Sequence, residues 1–252
     1  MTTGLVLSGG GARGISHLGV LKALEEFGVK IHCISGTSTG ALVAALYAYG
    51  LSPERILAEF IQTSFFSSLR PAWTMTGLVS MNGLRDLIVK LIPENTFESL
   101  KIPVTVAATN LNKGRAEYFS SGELITAVLA SSCVPILFNP ISRNGNLYVD
   151  GGIMDNLPAK CIKDKCDLLI GSHCNYISPE FDVKNFRSVI ERSLLIAING
   201  NTVASKNLCD VLIEPDTLGN ISAFNVKEAE RLFNIGYDFT RAQFKASDFS
   251  TT

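Results

Sequence analysis

The chain has 252 residues, a formal net charge of −1, 46% hydrophobic residues and 18% charged residues. That balance suits a globular chain with a substantial core and excludes a disordered one, and the near-zero charge offers no basic field for nucleic acid or an anionic membrane surface. The length fits one large α/β domain, so residues 1–252 read as a single unit.

In chain order, Leu5-Val6-Leu7 reads as a buried strand. Leu18, Leu21, Leu24 and Phe27 then recur at helical spacing, and Gly28 stops that helix. Ile31 to Ile34 reads as a second strand, leading to a turn at Ser38. Ala41 to Tyr49 is apolar on nearly every side and predicts a buried helix. Ser52-Pro53 is a helix start, with Ser as N-cap and Pro in the first turn. Residues 60–81 are irregular and rich in large apolar side chains, including Phe65, Phe66, Trp73, Met75 and Leu78. Those five read either as ordinary core or as the lining of an acyl groove or lipid-docking surface. Helices are expected over 83–91, 122–132, 185–199 and 226–244, and strands over 104–108, 168–170 and 211–213. Ile141 to Val149 predicts a hairpin turning at Asn144-Gly145. Alternating strands and helices argue for a mostly parallel sheet covered on both faces.

Six cysteines, at 33, 133, 161, 166, 174 and 209, fit neither a disulfide framework nor a zinc ligand set. They read as reduced structural thiols of a cytoplasmic protein. The start, Met1-Thr2-Thr3-Gly4, lacks the basic residues of a secretory signal. The longest apolar run falls short of the ~20 residues that span a bilayer. A soluble protein is expected, with peripheral membrane contact left open.

Two glycine turns carry the chemistry. The first, Ser8-Gly9-Gly10-Gly11-Ala12-Arg13-Gly14, follows the first strand and opens a helix. It matches G-x-G-x-x-G, yet the second strand runs on into Ser35-Gly36-Thr37-Ser38 without the acid that binds a dinucleotide ribose. The segment reads as a tight turn where only glycine fits, to which an anion site can be added, with Gly10 and Gly11 presenting N–H groups to an oxyanion at a helix N-terminus. Arg13 is either a charge beside that site or a surface arginine.

The second turn, Gly36-Thr37-Ser38-Thr39-Gly40, matches G-x-S-x-G between a strand and a helix. It reads as a nucleophile elbow with Ser38 as nucleophile, or as a plain serine N-cap. A nucleophilic serine needs a base. His17, His32 and His173 are the three histidines. A Ser38–Asp150–His173 triad has the chain order of α/β-hydrolases, but there the elbow normally comes after several strands. His17 is expected to buttress the glycine turn and His32 to sit in a strand core. Asp150 is the better candidate base, an acid ending a strand and followed by Gly151-Gly152, although the motif alone also reads as an Asp-Gly turn closing the hairpin.

These motifs, with Ala130-Ser131-Ser132 and Pro135 between them and Ile213-Glu214-Pro215-Asp216 and Ile235-Gly236-Tyr237 in the tail, resemble the patatin-like phospholipase family of the short bacterial type. The resemblance implies a three-layer α/β/α fold and a Ser38–Asp150 dyad without histidine. It also implies an oxyanion hole of Gly10, Gly11 and Arg13, joined by the Thr39 amide, framed by Gly9, Gly14, Gly36, Gly40, Gly151 and Gly152. Ser8 stands where plant members carry an acid. The expected activity is hydrolysis of fatty-acyl esters of phospholipid or lysophospholipid without metal or organic cofactor. The alternatives are a soluble esterase or thioesterase and a non-catalytic regulatory homologue.

Overall fold

The computed structural model describes residues 1–63, 81–135, 137–183, 186–223 and 226–249. Among the described residues, eight strands form one mixed sheet: β1 (Thr3–Leu7), β2 (Cys33–Thr37), β3 (Val104–Asn110), β4 (Arg115–Phe119), β5 (Ile141–Arg143), β6 (Asn146–Asp150), β7 (Leu168–Ser172) and β8 (Val211–Ile213). Their order is β5-β6-β3-β2-β1-β7-β8, with β4 also paired to β3. The central run β3-β2-β1-β7-β8 is parallel throughout, and the β4 and β5-β6 pairings are antiparallel. Central strands of such a sheet are buried on both faces, and β1, β2, β3 and β7 are buried along their full length.

Alternate residues feed two cores. Leu5, Leu7, Ile34, Leu168 and Ile170 face the larger core, shared with α1 (Ser16–Glu26), α2 (Thr39–Tyr49), α3 (Pro53–Gln62), α4 (Asn82–Leu91), α5 (Leu124–Ser131) and α8 (Ala229–Gln243). Val6, Cys33 and Leu169 face a smaller core closed by Leu157, Ala159 and Ile162, with Leu208 and Cys209 packed against it. This is the mostly parallel sheet flanked by helices that the alternation predicts. α6 (Phe186–Gly200) and the short α7 (Val203–Lys206) follow β7.

Local signals behave as expected. Ser52 caps α3, accepting the Arg55 amide at 3.2 Å. The β5-β6 turn places Asn144 and Gly145 at φ of 48° and 74°, the left-handed pair a two-residue hairpin needs. Two expectations change. β2 starts later than Ile31 and runs through Thr37, directly into the elbow. His32 lies before it and is exposed, its Nδ1 accepting the Thr3 amide at 2.9 Å, so it is no core residue. The apolar residues between Phe65 and Leu78 lie outside the described residues.

β3 has one further property that matters for the site. Pro103 O accepts from Ile34 N, and Leu111 N donates to Leu147 O. Positions 103 and 111 share a parity, so both bonds leave the same edge of β3. β2 and β6 therefore meet along that edge: Thr37 lies opposite Ala107 and Asp150 opposite Ala108. Two segments more than a hundred residues apart end at consecutive positions of one strand.

Candidate active site

Ser38 sits between the end of β2 and the start of α2 with φ 53° and ψ −124°. A side chain at positive φ is strained, and such strain collects at functional turns. The elbow is held from below: Ser131 Oγ accepts the Ser38 amide at 2.8 Å and donates to Ala107 O at 2.6 Å. Gly40 permits the tight passage, because a Cβ there would lie 2.5 Å from Leu7 O and 2.6 Å from Ser8 O. The first amides of α2 have no partner within the helix, which favours negative charge near Ser38.

Asp150 ends β6, and its Oδ1 accepts the Gly152 amide at 2.8 Å. Gly151 and Gly152 form the short 3-10 turn that follows. Ser38 and Asp150 are each only 7% exposed. Burial pushes the Asp150 carboxyl up to about 6, against the pull of hydrogen bonds from the Ser38 side chain and the Gly152 amide.

Both residues line a cavity of about 310 Å³, together with Gly9, Gly10 and Gly11. Its apolar wall comes from Val134, Pro135 and Ile153 and, on α6, from Leu194, Leu195 and Ile198. Among the described residues no acceptor bonds the Gly10 or Gly11 amide, whereas the neighbouring amides of Gly9, Ala12 and Arg13 are all taken. Gly11 stands at φ 56°, and a Cβ on Gly10 would collide with Cys174 Sγ. The loop thus has two free N–H groups where a side chain would not fit.

Other candidate residues are placed differently. Thr39 opens α2 beside Gly36 and Gly40, its hydroxyl donating to Gly11 O at 2.9 Å, and Gly14 packs against its side chain. Neither Thr39 nor Arg13 is among the residues lining the cavity. The Arg13 side chain turns away: Nε donates to Ile221 O at 2.6 Å and Nη2 to Gly219 O at 3.5 Å, facing a neighbouring cavity with Glu180, Asp182 and Arg192. Its visible part is a clamp on the 219–221 segment rather than a donor beside Ser38.

His17 buttresses the glycine turn as expected, bonding Ser8 O at 2.9 Å and Ser172 Oγ at 2.8 Å. Burial lowers its pKa to about 4, so it is neutral at pH 7. His173 bonds Glu214 at 2.7 Å and does not line the Ser38 cavity, so no Ser38–Asp150–His173 triad is assembled. Sequence reasoning misses Asn156 and Asn175 of the cavity, and it marks Ser131 only as part of a motif, without its role under the elbow. Asn175 follows the carboxyl end of β7 as Ser38 follows that of β2, and ligands of open α/β sheets bind at such strand ends. That rule is the signal that points to it.

Residues 5–160 match the family model described as patatin-like phospholipase. An uncharacterised NTE family protein of Mycobacterium tuberculosis is 35% identical over 156 residues, covering 61% of this chain and 43% of that protein. Lysophospholipase NTE1 of Cryptococcus neoformans is 38% identical over 170 residues, covering 64% of this chain and 10% of its own length. The chain thus spans less than half of these relatives. Among solved structures, VipD from Legionella pneumophila aligns over 96% of this chain and 66% of its own, with a TM-score of 0.56 and 20% identity, a likeness of fold. With the glycine loop, the serine elbow and Asp150-Gly151-Gly152 all inside the matched span, the chain belongs to the patatin-like phospholipase family.

Proposed function

We propose that this chain is a serine acyl hydrolase that cleaves fatty-acyl esters of phospholipid or lysophospholipid through a Ser38–Asp150 dyad. The observation that carries this reading is the meeting of Ser38 and Asp150 along one edge of β3, in a cavity with an apolar wall and two free backbone amides. Ser38 Oγ attacks the ester carbonyl as Asp150 takes its proton. The Gly10 and Gly11 amides receive the oxyanion, each donor being worth ~3 kcal/mol of barrier. Asp150 returns the proton to the departing alcohol. It then deprotonates the water that releases the fatty acid from Ser38. A carboxyl held near 6 is a better base than an ordinary aspartate, yet remains ionised at pH 7. The apolar wall from α6 supports a long acyl chain over a small polar one.

Ser38→Ala is expected to abolish both ester hydrolysis and labelling by a fluorophosphonate while the melting temperature stays near wild type. An unlabelled wild-type protein would favour the non-catalytic alternative. A panel of phospholipid, lysophospholipid and short-chain esters separates a lipid hydrolase from a soluble esterase: preference for the short chains would sink the lipid assignment. Peripheral membrane contact belongs to the same proposal, because the exposed Ile153 and Leu194 also line the cavity.

A further inference from the structure

Resting on the hydrolase reading above, we infer that Asn175 is a positioning residue for the oxyanion site. Its side-chain amide, seconded by Asn156, holds the Gly9–Gly10 peptide so that the Gly10 N–H stays available to the substrate. Neither residue belongs to the glycine loop, the elbow or the Asp150 turn.

The peptide between Gly9 and Gly10 needs such a hold. With no Cβ on either side, rotation of this peptide plane meets little steric resistance. Flipped, it would present a carbonyl oxygen where negative charge develops, reversing the sign of the interaction. A planar trans peptide points its C=O and its N–H in opposite directions, and the described residues contain no cis bond. Fixing the Gly9 carbonyl therefore fixes the Gly10 N–H.

Three donors converge on the Gly9 carbonyl: Asn175 Nδ2 at 2.5 Å, Asn156 Nδ2 at 3.4 Å and Cys174 Sγ at 3.5 Å. Asn175 is by far the shortest. It is 1% exposed and Asn156 2%, so water does not compete for these bonds. On the other side of the same peptide, the Gly10 amide has no acceptor among the described residues. Asn175 is anchored in turn, its backbone carbonyl accepting Asn199 Nδ2 of α6 at 2.7 Å.

A second observation separates this role from packing. Asn175 Oδ1 is buried without a hydrogen-bond partner. An unsatisfied buried acceptor is destabilising, and a well-packed core excludes one. Asn175 thus carries a local cost that an apolar residue would avoid, and its one satisfied side-chain group is the donor on Gly9. Rule-breaking of this kind concentrates at functional sites.

Asn175→Ala and the same-sized Asn175→Asp, which replaces the donor by an acceptor, test the inference. For Asn175→Ala we expect kcat to fall roughly 10- to 100-fold with KM changed less than about twofold, the pattern of a contact made only in the transition state. Asn175→Asp should fall at least as far. Affinity for a trifluoromethyl ketone analogue should drop in step with kcat/KM, while affinity for the fatty-acid product holds. The amide resonance of Gly10 in a ¹⁵N–¹H spectrum should move in both variants. Unchanged kcat with the Gly10 resonance in place overturns the inference. So does a parallel loss of kcat, product affinity and thermal stability, which marks general loosening. If the wild type neither hydrolyses esters nor labels at Ser38, the hydrolase reading fails on its own. The Gly10 resonance then decides the loop claim: moved supports it, unmoved overturns it.

Discussion

An aspartate that replaces imidazole as a base has to hold its proton more tightly than an exposed carboxylate does. Asp150 reaches that condition by burial, which lifts its pKa from 3.8 to about 6, and not through a neighbouring carboxylate. Two consequences differ in sign. The proposed mechanism needs the ionised form, so kcat/KM should climb with pH up to about 6 and level off above it. A limb near 3.8 in the pH–rate profile would show that burial does not tune the base. Stability runs the other way. The folded state binds this proton more tightly than the unfolded state, so the stabilisation is complete below 3.8 and is lost as pH rises through about 6. The shift is worth on the order of 3 kcal/mol at most. Asp150→Asn keeps the shape and the bond from Gly152 without ever ionising. It should be nearly inactive yet melt higher than wild type at pH 8, with the gap closing toward pH 4. A lower melting temperature at pH 8 would mean that the ionised carboxylate is well solvated in its site.

At the scale of elements, β3 is the ruler that aligns Ser38 with Asp150. Residues 107 and 108 receive the ends of β2 and β6, and Ala107 O also holds Ser131 Oγ, which in turn holds the elbow amide. Ser131→Ala removes both bonds and leaves the Ser38 amide unpaired in a buried site. It should cost about 1–3 kcal/mol in urea unfolding and lower kcat more than it raises KM. Equal stability of the variant would show that the elbow is held by α2 and β2 alone. The elements that frame this ruler were legible in the sequence because their signals are local: apolar runs for β1, β3 and β7, a Ser-Pro start for α3, Asn-Gly for the β5-β6 turn. β4 was not, because no residue of Arg115–Phe119 is fully buried and the segment carries charge where a hydrophobic run would mark a strand. The roles of Ser131, marked only as part of a motif, and of Asn175 were not, because they depend on contacts with Ser38 and Gly9 across 93 and 166 positions of chain. The direction of the Arg13 side chain was hidden for the same reason, since its acceptors Gly219 and Ile221 lie in a segment that no motif marks.

At the scale of the whole molecule, a lipid hydrolase must extract its substrate from an aggregate, and the route suggested by this chain is apolar. The described residues contain no helix long and apolar enough to cross a membrane, and the net charge of −1 supplies no general attraction to anionic lipid. α6 instead sets Leu194, Leu195 and Ile198 into the Ser38 cavity while exposing Phe186 (80%), Val189 and Ile196, and Val183 just before it is also exposed. A helix that is apolar on its outer side and lines the cavity on its inner side can seat against acyl chains and conduct one inward. Binding by such insertion depends on buried apolar area and not on counterions. Wild type should therefore sediment with neutral phosphatidylcholine vesicles about as well as with anionic ones, and added salt should not release it. The double change Phe186→Ser with Ile196→Ser should abolish sedimentation and slow hydrolysis of vesicle lipid, yet leave cleavage of a short soluble ester intact, because neither side chain lines the cavity. Binding confined to anionic vesicles and reversed by salt would instead assign docking to charged residues. Unchanged sedimentation of the double variant would move the docking face away from α6.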